Sequence, residues 1–215
     1  MLPRVVIWGS SGHAMVVADI ITLQGQFEIA GFLDDVNKDR WGTPFLCSEI
    51  IGGKEVLNGL NKMNIQNIIF GFGNCEKRLE LNSLVQKMGL NLITAIHPSA
   101  TVAKDVIVGK GTVIAAGAVI NPGSIIGENV IINTAASVDH ECIINNGVHI
   151  SPGTHLGGRV TIGEATWVGI GSVIKDHISI GEHSMIGAGS VVLDNIPPNS
   201  IAYGVPAKIV REVKN

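Results

Sequence analysis

A chain of 215 residues with 15 basic and 18 acidic side chains, a formal net charge of −3 and no Lys/Arg run is a poor match for nucleic acid. No apolar stretch approaches the roughly 18 residues of a membrane span, and the opening MLPRVVIWGSSGHA reads as a strand and a turn rather than a signal peptide. The three cysteines, Cys47, Cys75 and Cys142, have neither pairing nor metal spacing, so a soluble, reduced, cytoplasmic protein is expected.

In chain order, Val5–Trp8 reads as a strand, His13–Leu23 as a helix and Phe27–Leu33 as a strand. A helical stretch follows near Lys54–Met63, then a strand at Asn67–Phe72 and a helix over Glu76–Met88. In that last helix Leu81, Leu84, Val85 and Met88 share a face, and Gly89 suits the C-terminal cap. Strand and helix in alternation predict a small parallel α/β, Rossmann-like domain over residues 1–90.

The period then changes. Ile96, Val102, Val108, Ile114, Ile120, Ile126, Ile132, Val138, Ile144, Ile150, Leu156, Ile162, Val168, Ile174, Ile180, Ile186 and Val192 stand six apart without a slip. Four positions after each, the residue is usually small, as at Thr112, Ser124, Cys142, Thr154, Thr166 and Ser172. Neither a helix, with its period of 3.6, nor a half-buried strand, with its period of 2, repeats at six. A short fixed period over about a hundred residues marks a solenoid, here a parallel β-helix of hexapeptides over residues 91–200. Pro197 and Pro198 break the last coil and leave residues 201–215 as a tail.

Two regions carry chemistry. At the N-terminal end, Gly9-Ser10-Ser11-Gly12-His13 opens the first helix, where free N–H groups can hold phosphate. Ser11 and Ala14 break the dinucleotide fingerprint, so a nicotinamide or flavin site is not expected. Asp34 and Asp35 close the second strand, where an acid can bind a ribose hydroxyl or a base edge, and Gly71-Phe72-Gly73-Asn74 should lie beside the first turn. In the solenoid, His140 stands two residues after the inward Val138, which places it outward at a corner with Asp139 and Glu141 beside it. A neighbouring carboxylate raises imidazole basicity and holds one tautomer, as a general base requires. His149 and His155 follow at spacings that put the three histidines on different faces, so no metal site is expected.

Gly9-Ser10-Ser11-Gly12-His13, Leu33-Asp34-Asp35, Asp139-His140-Glu141-Cys142, His149-Ile150-Ser151-Pro152-Gly153 and Gly204-Val205-Pro206-Ala207-Lys208 fall in order along the whole chain. Together they resemble the sugar acyltransferase family that includes nucleotide-linked amino-sugar N-acetyltransferases and sialic acid O-acetyltransferases. The resemblance implies a left-handed β-helix, a homotrimer, acetyl-CoA as co-substrate with no permanently bound cofactor, and a nucleotide-sugar held by the N-terminal domain. It implies that Ser11, Gly12 and His13 meet the nucleotide phosphates, that Asp34 and Asp35 meet its base or ribose, and that Gly73 lines the same pocket, with Asn133 near the sugar. His140 matches the proton-accepting base and Glu141 the acid that strengthens it. His149, Gly158, Ile170, Ala188 and Lys208 match contacts to acetyl-CoA. The expected reaction moves an acetyl group to the amine of a UDP-, dTDP- or GDP-4-amino-4,6-dideoxy sugar for surface glycan synthesis. The alternatives are O-acetylation of a sugar hydroxyl such as that of sialic acid, and a non-catalytic, nucleotide-binding trimeric module.

Overall fold

The computed structural model describes residues 1–213 and divides the chain into two compact units, Met1–Pro98 and Ser99–Asn215. The first unit runs β1 (Arg4–Trp8), α1 (Gly12–Gln24), β2 (Glu28–Leu33), β3 (Pro44–Phe45), β4 (Ser48–Gly52), α2 (Leu57–Leu60), β5 (Ile65–Phe70), α3 (Cys75–Lys87) and β6 (Asn91–Leu92). These strands form one sheet in the order β3-β4-β2-β1-β5-β6, parallel except for the β3–β4 pair. β1 is central, and Val5, Val6, Ile7 and Trp8 are buried, as a parallel strand covered on both faces requires. Leu33, Leu60, Ile68, Phe70, Leu81 and Val85 complete the core beside it.

The expected helical stretch over Lys54–Met63 is α2 flanked by 3₁₀ turns at Lys54–Val56 and Asn61–Met63. β5 stops at Phe70, two residues before the expected end, and the Gly71 N–H makes the last ladder bond, to the Trp8 carbonyl at 2.8 Å. β3 and β4 were not legible. They join through a tight turn with Leu46 at φ 50, and β3 is too short to display a period.

In the second unit each hexapeptide gives a two-residue strand and a corner, and each strand pairs in parallel with the one a coil later: Ile114 with Ile132, Ile150, Val168 and Ile186 in turn. Three parallel sheets result, forming the three sides of a β-helix. The aliphatic column is buried from Ile114 to Val192, whereas Val102 and Val108, at its open start, are half-buried. The small column is inside as well, and its hydroxyls explain its chemistry. Thr112 donates to the Gly127 carbonyl at 2.9 Å, Thr154 to Gly169 at 3.0 Å and Thr166 to Gly181 at 2.7 Å, so each polar corner residue is satisfied by the adjacent coil.

The backbone adds a third column. Gly111, Gly117, Gly123, Asn129, Ala135, Glu141, Gly147, Gly153, Arg159, Ala165, Gly171, His177, His183 and Gly189 all have positive φ. This left-handed corner favours glycine, so each larger residue there holds a sparsely populated conformation. Glu141 and Arg159 are two of them, one above the other on successive coils.

After the two prolines the expected tail is instead a strand, Ser200–Gly204, antiparallel to a second, Ala207–Glu212. The first pairs with Met185 and Ile186 and so extends one side of the β-helix, giving the backbone groups of that edge a partner.

Candidate active site

His140 stands at a corner, its side chain about half exposed. Its Nδ1 lies 3.0 Å from Glu141 Oε2. The same oxygen accepts from Arg159 Nε at 2.9 Å. The hydrogen bond from Arg159, and then that from His140, hold the Glu141 carboxyl below its ordinary range, so it is ionised at neutral pH. An ionised Glu141 can only accept, which in a neutral imidazole puts the proton on Nδ1 and leaves Nε2 with its lone pair. The backbone N–H of His140 donates to Asp139 Oδ1 at 2.7 Å, and Asn121 holds that same oxygen at 2.8 Å. Gly158 lies beneath the ring: a Cβ there would stand 2.5 Å from His140 Nε2. Arg159 was not singled out in the sequence. Its signal was its spacing of one coil from Glu141, legible only once the left-handed column is known. Cys142 is fully buried in the small column and donates to the Gly157 carbonyl at 3.2 Å; burial pushes its thiol up, away from nucleophilic use.

A groove of about 360 Å³ runs along another side of the β-helix. Asn133, His149, Ile170 and Ala188 all line it, together with Trp167 and Gly187. His149 is buried, stacked on Trp167 with ring centroids 5.1 Å apart, and 3.2 Å from Asn133 Nδ2 through Nε2. Trp167 is fixed in turn by its Nε1, which donates to Ser151 Oγ at 2.8 Å. Lys208 is outside the groove lining; it lies on the C-terminal hairpin paired with Tyr203, its Nζ 3.9 Å from Asp194. Within one chain, His140 and this groove occupy successive corners, separated by the side built on 137–138, 155–156 and 173–174.

The first unit has its own pocket, about 480 Å³, at the C-terminal ends of β1, β2 and β5. Ligands in open α/β sheets bind at this end of the strands. Ser11, Asp34 and Asp35 line it, with apolar walls from Trp8, Leu33 and Phe72. Gly12 and His13 form the first turn of α1, and Gly73 sits in the neighbouring turn between two lining residues, Phe72 and Asn74. Gly9 allows the two turns to meet: with φ 137, a Cβ there would lie 2.6 Å from the Gly71 carbonyl oxygen. The two helix starts differ. Asn74 caps α3 by accepting from Lys77 N at 2.8 Å, whereas Ser11 makes no side-chain cap on α1, whose first turn stays open to an anion.

The two aspartates do different work. Asp34 is buried and accepts from Val36 N at 2.9 Å, Asn37 N at 2.8 Å, Ser10 Oγ and Arg40 Nη1. Burial pushes its carboxyl up, but the hydrogen bonds from Ser10, Asn37 and Val36 outweigh that and hold it below the ordinary value. Asp34 thus builds the pocket wall. Asp35 is exposed, and accepts from Trp8 Nε1 at 2.9 Å and Lys54 N at 2.6 Å.

His13 lies mostly buried near Arg78, itself buried and donating to the Gly73 carbonyl at 2.6 Å. Burial first, and the Arg78 charge second, lower the His13 pKa from 6.5 to about 4. The folded state then binds fewer protons than the unfolded state between those values. Stability from this group is complete above pH 6.5 and is lost progressively as pH falls toward 4 and below, about 3 kcal/mol in all. Thermal unfolding of His13→Gln should therefore depend less steeply on pH than wild type across that window; parallel curves would place the acid sensitivity elsewhere.

Residues 4–84 match the family described as PglD N-terminal domain, and residues 159–194 match bacterial transferase hexapeptide (six repeats). The chain is 36% identical over 124 residues to UDP-N-acetylbacillosamine N-acetyltransferase of Bacillus subtilis (strain 168); the match covers 53% of this chain and spans about half, 51%, of that relative. Among solved structures it is similar to a mutant of perosamine N-acetyltransferase from Caulobacter crescentus in complex with CoA and GDP-perosamine, with TM-score 0.93, 33% identity and 99% of each chain covered. The acetyltransferase domain of PglB from Neisseria gonorrhoeae FA1090 in complex with acetyl coenzyme A matches with TM-score 0.91 and 35% identity, over 98% of this chain and 100% of that one. Carrying both the α/β unit and the β-helix in the same order along almost its whole length, this chain belongs to the family of hexapeptide-repeat sugar N-acetyltransferases.

Proposed function

We propose that this protein transfers the acetyl group of acetyl-CoA to the amine of a nucleotide-linked 4-amino-4,6-dideoxy sugar, with His140 as general base. The observation that carries the reading is the pair His140 Nδ1–Glu141 Oε2 at 3.0 Å on an open corner, which leaves Nε2 as a proton acceptor. An ammonium has no lone pair, so the sugar nitrogen must lose a proton before or during attack. The amine attacks the thioester carbonyl while its proton passes to His140 Nε2. The tetrahedral intermediate then expels the thiolate with cleavage of the C–S bond, and His140 returns the proton to sulfur. The products are an amide and the free thiol of CoA.

The groove beside His149 has the shape for the pantetheine arm, with Ile170 and Ala188 offering backbone groups, and Lys208 reaches toward the coenzyme phosphates from the hairpin. Gly158 serves at the reacting end, and Asn133 faces the sugar. Because His140 and the groove occupy different corners of one chain, a complete site needs a neighbour. Ile107, Ile125 and Ile143 stack as an exposed apolar stripe on one side of the β-helix, the kind of surface a second copy covers, in keeping with a homotrimer. The open first turn of α1 takes the diphosphate through Ser11, Gly12 and neutral His13, which offers an N–H rather than a charge, and Gly73 lines the adjoining turn. Asp34 shapes the wall, and Asp35 anchors the base or ribose. The cytoplasm, where acetyl-CoA and nucleotide sugars are made, is the matching compartment.

This division of substrates has a kinetic test. Asp35→Ala should raise KM for the nucleotide-sugar on the order of tenfold while KM for acetyl-CoA and kcat stay within about twofold, because uniform binding is lost rather than chemistry. Equal losses for both substrates in steady-state kinetics would undo the assignment.

A further inference from the structure

We infer that Arg159 is a positioning residue for His140, acting through Glu141. The inference rests on His140 being the base. Arg159 and Glu141 both occupy the left-handed corner column, with φ 59 and φ 56, and so project from the same corner of adjacent coils. Arg159 N donates to the His140 carbonyl at 2.8 Å, which ties the two coils at this point. Its Nε then reaches Glu141 Oε2 at 2.9 Å, the oxygen that faces His140 Nδ1.

All three side chains are about half exposed. A carboxylate so exposed, with one neutral hydrogen-bond partner, samples several rotamers, and the imidazole it orients does the same. A second, charged donor on the same oxygen holds the carboxylate in one place. Gly158 leaves the space that the Nε2 side of the ring needs, since a side chain there would displace Nε2. Arg159, through Glu141, thus holds the imidazole in one orientation: Nδ1–H toward Glu141, with Nε2 on the side away from the carboxylate. Solvated ion pairs add little to stability, so this pair can be cut without unfolding the chain.

The test uses full-length Arg159→Met and Arg159→Lys. For Arg159→Met, kcat should fall about tenfold, with KM for both substrates within about twofold, and Arg159→Lys should recover most of the loss. In ¹⁵N-edited NMR the wild-type His140 ring should show a proton on Nδ1 and a bare Nε2, and Arg159→Met should show a mixture of tautomers. Unchanged kcat and an unchanged spectrum would reduce Arg159 to a surface ion pair and overturn the inference. A fall in kcat with an unchanged spectrum would overturn it too, since Arg159 would then not act through His140. A changed spectrum with unchanged kcat would leave the clamp in place and remove His140 as the base.

Discussion

His140→Ala should lower kcat by at least about 100-fold while leaving the β-helix intact. The two halves of this expectation rest on different observations. The side chain is about half exposed and fills no part of the aliphatic column, so its loss opens no cavity. Its partners Glu141 and Arg159 keep each other as an ion pair, so no buried charge is stranded. The rate loss follows because the groups left beside the gap are poor bases for the amine proton: hydrogen bonds hold the Glu141 and Asp139 carboxyls below their ordinary range, Cys142 is buried, and Arg159 has no lone pair. Single-turnover kinetics beside circular dichroism would check both halves. Activity within a few-fold of wild type would remove His140 from the mechanism.

Ile162→Asp should abolish soluble expression. Ile162 is fully buried and stacks between Ile144 and Ile180 in the aliphatic column. An aspartate there would put a carboxylate among methyl groups with no donor in reach, a cost of several kcal/mol against a total stability of roughly 5–15 kcal/mol. The solenoid has no alternative core to retreat to, since each coil rests on its neighbours. Ile132→Asp should behave alike, Ile132 being equally buried between Ile114 and Ile150. A soluble, cooperatively unfolding product from either change would mean the inward column is misassigned.

The β-helix was legible because its period is written in side chains that face one way: a stacked core needs large aliphatics at one position and small residues at another. The left-handed corner column was not, because glycine, alanine, asparagine, glutamate, arginine and histidine share it and only backbone torsion unites them. That is why Arg159 escaped notice while Glu141, next to a histidine, did not. In the first unit the glycine turns stood out, but the reason for Gly9 did not: the turn from β5 passes so close that no Cβ fits. Asp34 and Asp35 looked alike in sequence, and burial separated them, one holding Ser10, Asn37 and Arg40 and the other lying exposed at the rim. The C-terminal hairpin was hidden because its partners, Met185 and Ile186, lie in an earlier coil.

The most direct measurement is acetyl transfer itself. The full chain would be mixed with acetyl-CoA and, in separate reactions, UDP-, dTDP- and GDP-linked 4-amino-4,6-dideoxy sugars, sialic acid, or no acceptor, with release of free thiol followed and the product treated with mild base. The account predicts rapid thiol release with at least one amino sugar, dependent on His140, and a product that survives base as an amide does. Thiol release with sialic acid alone and a base-labile ester, or no release with any acceptor, would contradict it.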